Sequence, residues 1–130
     1  MSPEQVAEQE REHATDLIAD LWRGFSDSWD TGLASAYQYM EEHNHPAMGC
    51  TAADYESYYQ FVEGTELEII VDQDSVELDE GWVSPAIGDV PEGTIYIFTI
   101  NATSTASQPE LLEVHAAILD GEAFFFYECR

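Results

Sequence analysis

The apolar residues near the start of the chain recur at steps of three and four, which is the period of an α-helix with one buried face. Leu17, Leu21 and Phe25 fall on one side of such a helix, and acidic residues fall on the other side. Pro3 suits the first turn, where a backbone N–H would have no partner. The pattern predicts a helix from about residue 3 to residue 25.

A second, shorter helix is indicated by apolar residues at helical spacing from Leu33 to Met40. Asp30 and Thr31 are the candidates for its N-cap, because their side chains can accept hydrogen bonds from the first free N–H groups. The helix is predicted to end before Pro46, which disfavours helical geometry at the residue preceding it.

A third helix opens on a capping box, in which the side chains of Thr51 and Asp54 each bond the backbone N–H of the other residue. Gly64 is placed to end the helix in the left-handed conformation. Between them runs an apolar stripe of Tyr55, Tyr58, Tyr59 and Val62.

The second half of the chain has a period of two, which is typical of half-buried β-strands. Residues 67–71 and 76–79 alternate apolar with acidic positions around the polar turn 73–75, and this predicts a hairpin. Residues 81–93 contain prolines and glycines and are predicted as a loop. Residues 94–103 are apolar on both faces, which indicates a central strand covered on two sides.

A second hairpin is predicted over residues 111–119 and 122–129, because Asp120-Gly121 between them favours a two-residue turn. This turn pairs Leu119 with Glu122 and, by continuation, Glu113 with Glu128. One face is apolar and is predicted to meet the helices; it carries Leu112, Val114, Ala116, Ile118, Ala123, Phe125, Tyr127 and Cys129. The other face mixes aromatic and charged residues, namely Glu113, His115, Ala117, Phe124, Phe126 and Glu128.

Together these elements predict one α+β domain over residues 1–130, with a helical part over about 3–63 and antiparallel strands over about 66–129. N-terminal helices are expected to pack on one face of a curved antiparallel sheet.

The order of one long helix, two short helices and a meander of strands that closes on the aromatic-rich hairpin Leu111 to Glu128 resembles the nuclear transport factor 2-like superfamily. That superfamily includes the ketosteroid-isomerase-like and SnoaL-like domains. The resemblance implies a cone-shaped α+β barrel that often encloses a pocket and often dimerises through the outer face of its sheet. Catalytic members use one tyrosine and two aspartates inside the cone, and the resemblance assigns these roles to no position of this chain.

The sequence has 27 acidic and 3 basic residues, and its formal charge is −24. Such a surface repels phosphate backbones and anionic lipid, so no nucleic-acid partner is predicted. No apolar run is long enough for membrane insertion, and the first residues lack the basic start and apolar stretch of a signal peptide. An extracytoplasmic or envelope-attached protein, which would then be the mature part of a longer chain, and a cytoplasmic protein of a halophile both fit this composition.

Cys50 and Cys129 are the only two cysteines, and they show no metal-binding or redox spacing. A disulfide between them would close a loop of about 80 residues and stabilise the fold by roughly 4 kcal/mol. The alternative is two buried free thiols. The disulfide is the favoured interpretation, and it favours the extracytoplasmic location.

His43, His45 and Cys50 could offer imidazole and thiolate ligands to zinc. Two histidines separated by one residue, however, lack the i, i+4 register of helical metal pairs. Their position fits a turn that ends the second helix, where they help to cap the last carbonyls. Neither a metal nor a cofactor is predicted.

Glu113, His115 and Glu128 are the candidate catalytic residues. The predicted register places the two carboxylates directly opposite each other, where like charges destabilise a sheet. In a pocket their repulsion would keep one carboxyl protonated beside a neutral histidine, an arrangement suited to general acid–base catalysis. On a solvated surface salt would screen the pair, which would then have no function.

Four tyrosines on the predicted helices are candidates for the wall of a small apolar ligand pocket: Tyr37, Tyr55, Tyr58 and Tyr59. An aromatic body with a polar tip suits such a wall. The alternative is that they fill an ordinary core, with their hydroxyls bonded to backbone or solvent.

The outer face of the closing hairpin predicts a homodimer interface formed by His115, Phe124 and Phe126. Each phenylalanine would otherwise be exposed, and burying one side chain is worth roughly 1.5 to 3 kcal/mol. The alternative is that the loop over residues 81–93 covers this face, with Trp82 and Val83 across the phenylalanines.

Two functions stay open. The first is a non-catalytic domain that binds a small ligand or a protein partner. The second is a small enzyme of the isomerase or cyclase type, with carboxylates and tyrosines in an apolar pocket. An enclosed pocket with an ionisable group would favour the enzyme, and a filled interior would favour the binding domain.

Overall fold

Helices α1 (Pro3–Thr31), α2 (Leu33–His43) and α3 (Ala52–Tyr59) form the N-terminal half of the protein. The computed structural model describes residues 2–105 and 107–129. Helix α1 extends past its predicted end at residue 25 because Trp29 packs into the core and its Nε1 donates a hydrogen bond to the carbonyl of Thr65 (2.6 Å). Asp30 and Thr31 therefore end α1 and do not cap α2. The helices are separated by Gly32, whose φ of +148° favours glycine.

The capping box that opens α3 is confirmed: Asp54 N donates to Thr51 Oγ1 (3.2 Å), and Thr51 N donates to Asp54 Oδ2 (2.8 Å). The helix is shorter than predicted, because Gln60 adopts the left-handed conformation directly after Tyr59. The chain then turns inward, and the Phe61 ring stacks on Tyr37 at a centroid distance of 5.4 Å.

Among the described residues, five strands form one antiparallel sheet: β1 (Leu67–Val71), β2 (Glu77–Leu78), β3 (Thr94–Ser104), β4 (Ser107–Leu119) and β5 (Glu122–Phe124). The sheet is curled into a half-barrel, and the helices precede it in the chain, so the predicted α+β class is confirmed. The strand order is β1–β3–β4–β5, and β2 pairs with β3.

The predicted hairpin between residues 67–71 and 76–79 is wrong. Strands β1 and β2 both pair with β3, one after the other along the same strand. A 3-10 turn, Gln73–Ser75, separates them as a bulge, and Ser75 Oγ accepts a hydrogen bond from Thr99 N (2.8 Å). The polar residues 73–75 thus form a bulge at the sheet edge, after which the chain continues along the same strand, β3, and does not reverse its direction.

This bulge is held by Arg11 on α1. Its Nε donates to the carbonyl of Val76 (2.7 Å), and one terminal nitrogen donates to the carbonyls of Gln73 (3.3 Å) and Asp74 (3.4 Å). A guanidinium offers five donors in a fixed fork, so it can satisfy several carbonyls of one tight turn. Arg11 therefore joins the long helix to the sheet edge.

The core lies between the helices and one face of the sheet. Ala116, Ala123 and Phe125 are buried in it as the sorting of the closing hairpin predicted, but Leu112, predicted for the same face, is exposed. The fully buried members of the core come from both layers, and they include Ile18, Phe25, Met40, Tyr55, Phe98 and Phe125. Gly24 allows α1 and α2 to approach closely, because a Cβ there would collide with the Tyr39 ring, whose hydroxyl donates to the carbonyl of Leu21 (2.8 Å).

Cys50 and Cys129 form the predicted disulfide, with their Cα atoms 6.2 Å apart. The bridge joins the segment before α3 to the C-terminal segment. In the part of the chain that is described, no helix combines the length and the apolar character that a membrane crossing needs.

Removing the disulfide with Cys50→Ala and Cys129→Ala is expected to lower the free energy of unfolding by about 4 kcal/mol, because the unfolded chain loses a large closed loop. Urea denaturation followed by circular dichroism measures this change. Intact mass after alkylation without reductant is the control, and two labelled thiols in the wild-type protein would refute the bridge.

Candidate functional site

The closing hairpin opens into a fork beyond its first three pairs. Strands β4 and β5 pair in the predicted register, with Leu119 opposite Glu122 and Ala117 opposite Phe124. The last strand was predicted to run to residue 129, and it ends at Phe124. Strand β4 stays paired to β3, while residues 125–129 diverge from it.

The end of α2 draws this C-terminal segment away from β4. Phe125 N donates to the carbonyl of His43 (2.8 Å), and His45 N donates to the carbonyl of Phe125 (2.8 Å). Asn44 lies between these histidines, and its side-chain amide pairs with the backbone of Tyr127: Oδ1 accepts from N (2.8 Å) and Nδ2 donates to O (3.0 Å). Asn44 is 7% exposed, and its Nδ2 also donates to the Tyr55 hydroxyl. We call these contacts of Asn44 with Tyr127 and Tyr55 the Asn44 clamp.

The flanking histidines have structural contacts. His45 Nδ1 accepts from Ala47 N (3.1 Å), and its Nε2 donates to the carbonyl of Glu92 (3.0 Å). His43 stacks on Tyr39 at 3.9 Å. Cys50 is in the disulfide, and no group of three metal-binding side chains lies close together among residues 2–105 and 107–129.

The fork between β4 and the C-terminal segment contains a cavity of about 290 Å³ that is partly open to solvent. We call it the hairpin cavity. Its walls are mainly aromatic, with two carboxylates and one imidazole, and they consist of Trp22, Trp82, Pro85, Glu113, Val114, His115, Phe125, Phe126, Tyr127 and Glu128.

The three candidate catalytic residues, Glu113, His115 and Glu128, all line the hairpin cavity. The two carboxylates are not a ladder pair, because the strands have separated, and both are solvent-exposed. His115 is more sheltered: its side chain is 15% exposed, and its Nε2 lies 2.8 Å from Asp79 Oδ2. Asp79 thereby fixes the orientation of the imidazole ring.

Trp82 covers His115 from the outer side of the sheet. The two rings are stacked at 3.8 Å with an interplanar angle of 9°. Trp82 also makes a T-shaped contact with Phe126 (5.1 Å), and Phe126 in turn stacks on His45 (5.2 Å). Phe126 is therefore half-buried within its own chain. This agrees with the alternative to the homodimer, in which Trp82 of the 81–93 loop covers this face of the hairpin. Val83, which that alternative also named, is exposed.

These contacts weaken the premise of the predicted homodimer, since Phe124 and Phe126 are both half-buried in the single chain. The interface of His115, Phe124 and Phe126 stays a prediction, because a single chain does not test it.

Trp22 enters the cavity wall from the core side. Its side chain is 4% exposed and packs edge-on against Phe125 (4.8 Å) and Tyr127 (5.8 Å). Its Nε1–H is buried and has no acceptor among the described residues, whereas the corresponding group of Trp29 is bonded. A buried donor without a partner costs roughly 1 to 3 kcal/mol.

The four tyrosines predicted for a ligand pocket lie elsewhere: Tyr37 and Tyr55 are buried, Tyr59 is half-buried and Tyr58 is 47% exposed. Tyr58 therefore lies at the surface and does not fill the core. None of them is among the described residues that line the hairpin cavity. The aromatic residues that do line it come from α1, the 81–93 loop and the C-terminal segment, and its one tyrosine is Tyr127.

Asp79 and Trp22 were absent from the sequence-based candidates. Asp79 approaches His115 because β2 pairs with β3, and Glu77, Ile97 and His115 then lie in one row across the sheet. Because residues 67–71 and 76–79 were predicted to pair with each other, the pairing of β2 with β3 and the contact of Asp79 with His115 were not predicted. Trp22 belongs to an apolar helical stripe, where sequence alone indicates only core packing.

Comparison with known proteins finds no matching family model, no significantly similar curated protein and no significantly similar solved structure.

Replacing the clamp residue with Asn44→Ala is expected to lower the free energy of unfolding by about 3 kcal/mol, because the Tyr127 backbone and the Tyr55 hydroxyl lose buried partners. Asn101→Ala, at an exposed position of β3, is the matched control and should change stability by less than about 0.5 kcal/mol. Urea unfolding measures both, and equal effects of the two variants would contradict the clamp.

Burial raises the pKa of Tyr39 and of Tyr59 to about 12, and it also raises the pKa of Tyr55 and of Tyr127 well above the usual value of a tyrosine. The unfolded chain loses these protons near pH 10, so the folded state should lose stability as the pH rises from about 10 to 12. Absorbance at 295 nm should show these tyrosines ionising together with the loss of the circular dichroism signal. Ionisation of all seven tyrosines in a still-folded protein would oppose this expectation.

Proposed function

We propose that this protein is a non-catalytic domain that binds a small ligand in the hairpin cavity. The observation that carries the proposal is the hairpin cavity itself, whose lining combines five aromatic side chains with the imidazole of His115 and the carboxylates of Glu113 and Glu128. A small apolar cavity with a few polar groups that fix orientation is the usual form of a ligand site. Its volume, about 290 Å³, limits the ligand to a small molecule.

The packing of the interior supports binding over catalysis. Between the helices and the sheet, the space is occupied by aromatic side chains in mutual contact, such as Phe25 with Phe125 (6.0 Å) and Phe25 with Tyr127 (5.8 Å). An active site inside the cone would need an enclosed space among these rings. The hairpin cavity lies beside this packed core and opens toward the outer face.

The nuclear transport factor 2-like fold and an extracytoplasmic location belong to the same proposal. The first is supported by helices that precede and pack on a curled antiparallel sheet. The second is supported by the disulfide, since such bridges persist mainly in oxidising compartments.

One observation favours the alternative, a small isomerase-type enzyme. Asp79 bonds Nε2 of His115, so the ring would carry its proton there and leave Nδ1 as a base beside the cavity carboxylates. Such an enzyme should speed the exchange of the methyl protons of acetophenone in D₂O, and His115→Gln should abolish this. NMR measures the rate of this exchange, and a rate equal to the uncatalysed rate favours the binding domain.

The binding proposal is tested with 2-phenylethanol, a neutral aromatic alcohol, added to ¹⁵N-labelled protein. We expect saturable shifts at His115, Phe126 and the indole N–H of Trp22. Trp82→Ala should weaken binding about tenfold, because an aromatic wall contributes roughly 0.5 to 1.5 kcal/mol beyond its buried area.

Val83→Ala, which changes the exposed neighbour of Trp82, is the matched control and should bind like the wild-type protein. The proposal fails if the shifts do not saturate, or if Trp82→Ala leaves them unchanged.

A further inference from the structure

We propose that strand β4 uses its free edge at Leu111 and Glu113 to bind an extended segment of a basic protein, which adds to the sheet as a further strand. Such a segment would be a partner beyond the small ligand of the proposed function. Three properties of the edge support it: its free backbone groups, its two exposed leucines and its charges.

The Asp120-Gly121 turn determines which backbone groups of β4 point away from β3. Both turn residues have positive φ, 52° and 79°, as in a type I′ turn, whose two flanking residues exchange hydrogen bonds. Every second residue of the strand then points its N–H and C=O to the same side. Because the ladder with β3 is regular from residue 118 to residue 110, the backbone groups of Leu111 and Glu113 face away from β3.

The outward N–H and C=O groups of Leu111 and Glu113 have no hydrogen-bond partner within residues 2–105 and 107–129. Strand β5 pairs only with residues 117–119, and the C-terminal segment turns toward Asn44 before it reaches Glu113. A strand edge of this kind can pair with another extended chain.

The other edges of the sheet are contacted by the chain itself. At β1, Ile69 N donates to Ser26 Oγ of α1 (3.3 Å). The bulge before β2 is bonded by Arg11, and the segment after β5 is bonded by the backbone at the end of α2. Proteins commonly cover their sheet edges in this way. Among the described residues, the stretch of β4 around Leu111 is the exception, which favours a partner from outside the chain.

Two neighbouring leucines make this edge apolar on both faces of the sheet. Leu111 is 74% exposed, and Leu112, which points to the opposite face, is exposed as well. Residues 108–113 are all exposed, so neither face of this stretch is packed on the core. An added strand would cover both leucines with its own apolar side chains. The site begins after Pro109, which has no N–H to donate.

The charges of β4 select the side chains of the partner. Glu110 shares a face with Leu112, and Glu113 shares the other face with Leu111. Neither carboxylate is paired with a cationic side chain of the described residues. Because opposite charges on facing strands stabilise pairing, a segment that reads basic, apolar, apolar, basic matches this edge. A second copy of the chain, with its charge of −24, would bring four carboxylates together at the same place.

The test adds the capped peptide Thr-Lys-Val-Val-Lys-Thr to the ¹⁵N-labelled full-length protein. Amide hydrogen exchange, followed by NMR, should slow at least about fivefold at Leu111 and Glu113, because their N–H groups gain acceptors. Leu112, whose N–H faces β3, should change little and is the internal control. Binding without slower exchange at Leu111 and Glu113 would overturn strand addition.

The peptide Thr-Glu-Val-Val-Glu-Thr has the same length and backbone and tests the charge preference. It should bind at least about tenfold more weakly than the lysine peptide at low salt, and the difference should shrink at about 0.5 M salt. Equal affinity of the two peptides at low salt would refute a basic partner.

Glutamine variants separate a specific edge from diffuse attraction. Glu110→Gln combined with Glu113→Gln should remove most of the preference for the lysine peptide. Glu12→Gln, at an exposed acidic position of α1, is the matched control and should keep it. An unchanged preference in the double variant would show diffuse attraction only and would contradict the site.

Leu111→Pro removes one outward N–H and keeps the ladder with β3, because that N–H does not bond β3. Leu111→Ala, the matched control, shortens the same side chain and keeps the N–H. We expect Leu111→Pro to weaken the lysine peptide about fivefold more than Leu111→Ala does. Equal weakening would contradict backbone pairing. If the proline variant does not fold, hydrogen exchange in the wild-type protein still decides.

The same variant distinguishes this edge from the proposed function and from a dimer. Leu111 is not among the described residues that line the hairpin cavity, so Leu111→Pro should leave the binding of 2-phenylethanol unchanged. If the peptide fails to bind while 2-phenylethanol binds, the edge is refuted and the proposed function stands. A dimer that Leu111→Pro dissociates in light scattering, without peptide binding, would replace the peptide with a second copy of the chain.

Discussion

The side chain of Asn44 is the constraint on which the rest of the structure depends. A primary amide has the donor and acceptor of a peptide group, so Asn44 can pair with Tyr127 as a strand residue would, although it follows a helix. This pairing takes residues 125–129 away from β4. As a result, Phe125 reaches the core against Trp22, Cys129 reaches Cys50, and the space vacated beside β4 becomes the hairpin cavity.

The shortage of basic residues shapes the electrostatics of the site. Of the three arginines, Arg11 is committed to the backbone carbonyls of the sheet edge, and Arg23 pairs with Asp20 on the exposed side of α1. The Arg11 guanidinium is partly buried, and its hydrogen bonds join α1 to the carbonyls of the bulge. Neither of these two arginines pairs with Glu113 or Glu128, and among residues 2–105 and 107–129 no cationic side chain does so.

The sequence predicted those features that local chemistry determines, and it missed those that distant residues impose. The capping box at Thr51, the Asp120-Gly121 turn and its first pairs, and the disulfide were all predictable from short-range signals or from the cysteine count. The hairpin around residues 73–75 was wrong because a polar turn and a polar bulge look alike in sequence, and Arg11, more than 60 residues away, selects the bulge.

The predicted end of the last strand was wrong because the alternation of residues continues to Tyr127, whereas the backbone of Tyr127 bonds the side chain of Asn44 and not β4. Glu113, His115 and Glu128 came together in one cavity although the pairing that suggested them stops at Phe124.

The contacts that separate the C-terminal segment from β4 also fix the positions of the two walls of the hairpin cavity. On one side, β4 is fixed by its ladder with β3 through Glu113, Val114 and His115. On the other side, the C-terminal segment is fixed at three successive points: the Phe125 backbone, the Asn44 clamp at Tyr127 and the disulfide at Cys129. A site with both walls fixed before binding requires little ordering of the protein, so most of the contact energy with a ligand remains available as affinity. The space between β4 and the C-terminal segment is therefore kept open by the disulfide and by hydrogen bonds, and the packed rings of Trp22, Phe125 and Tyr127 form its floor on the core side.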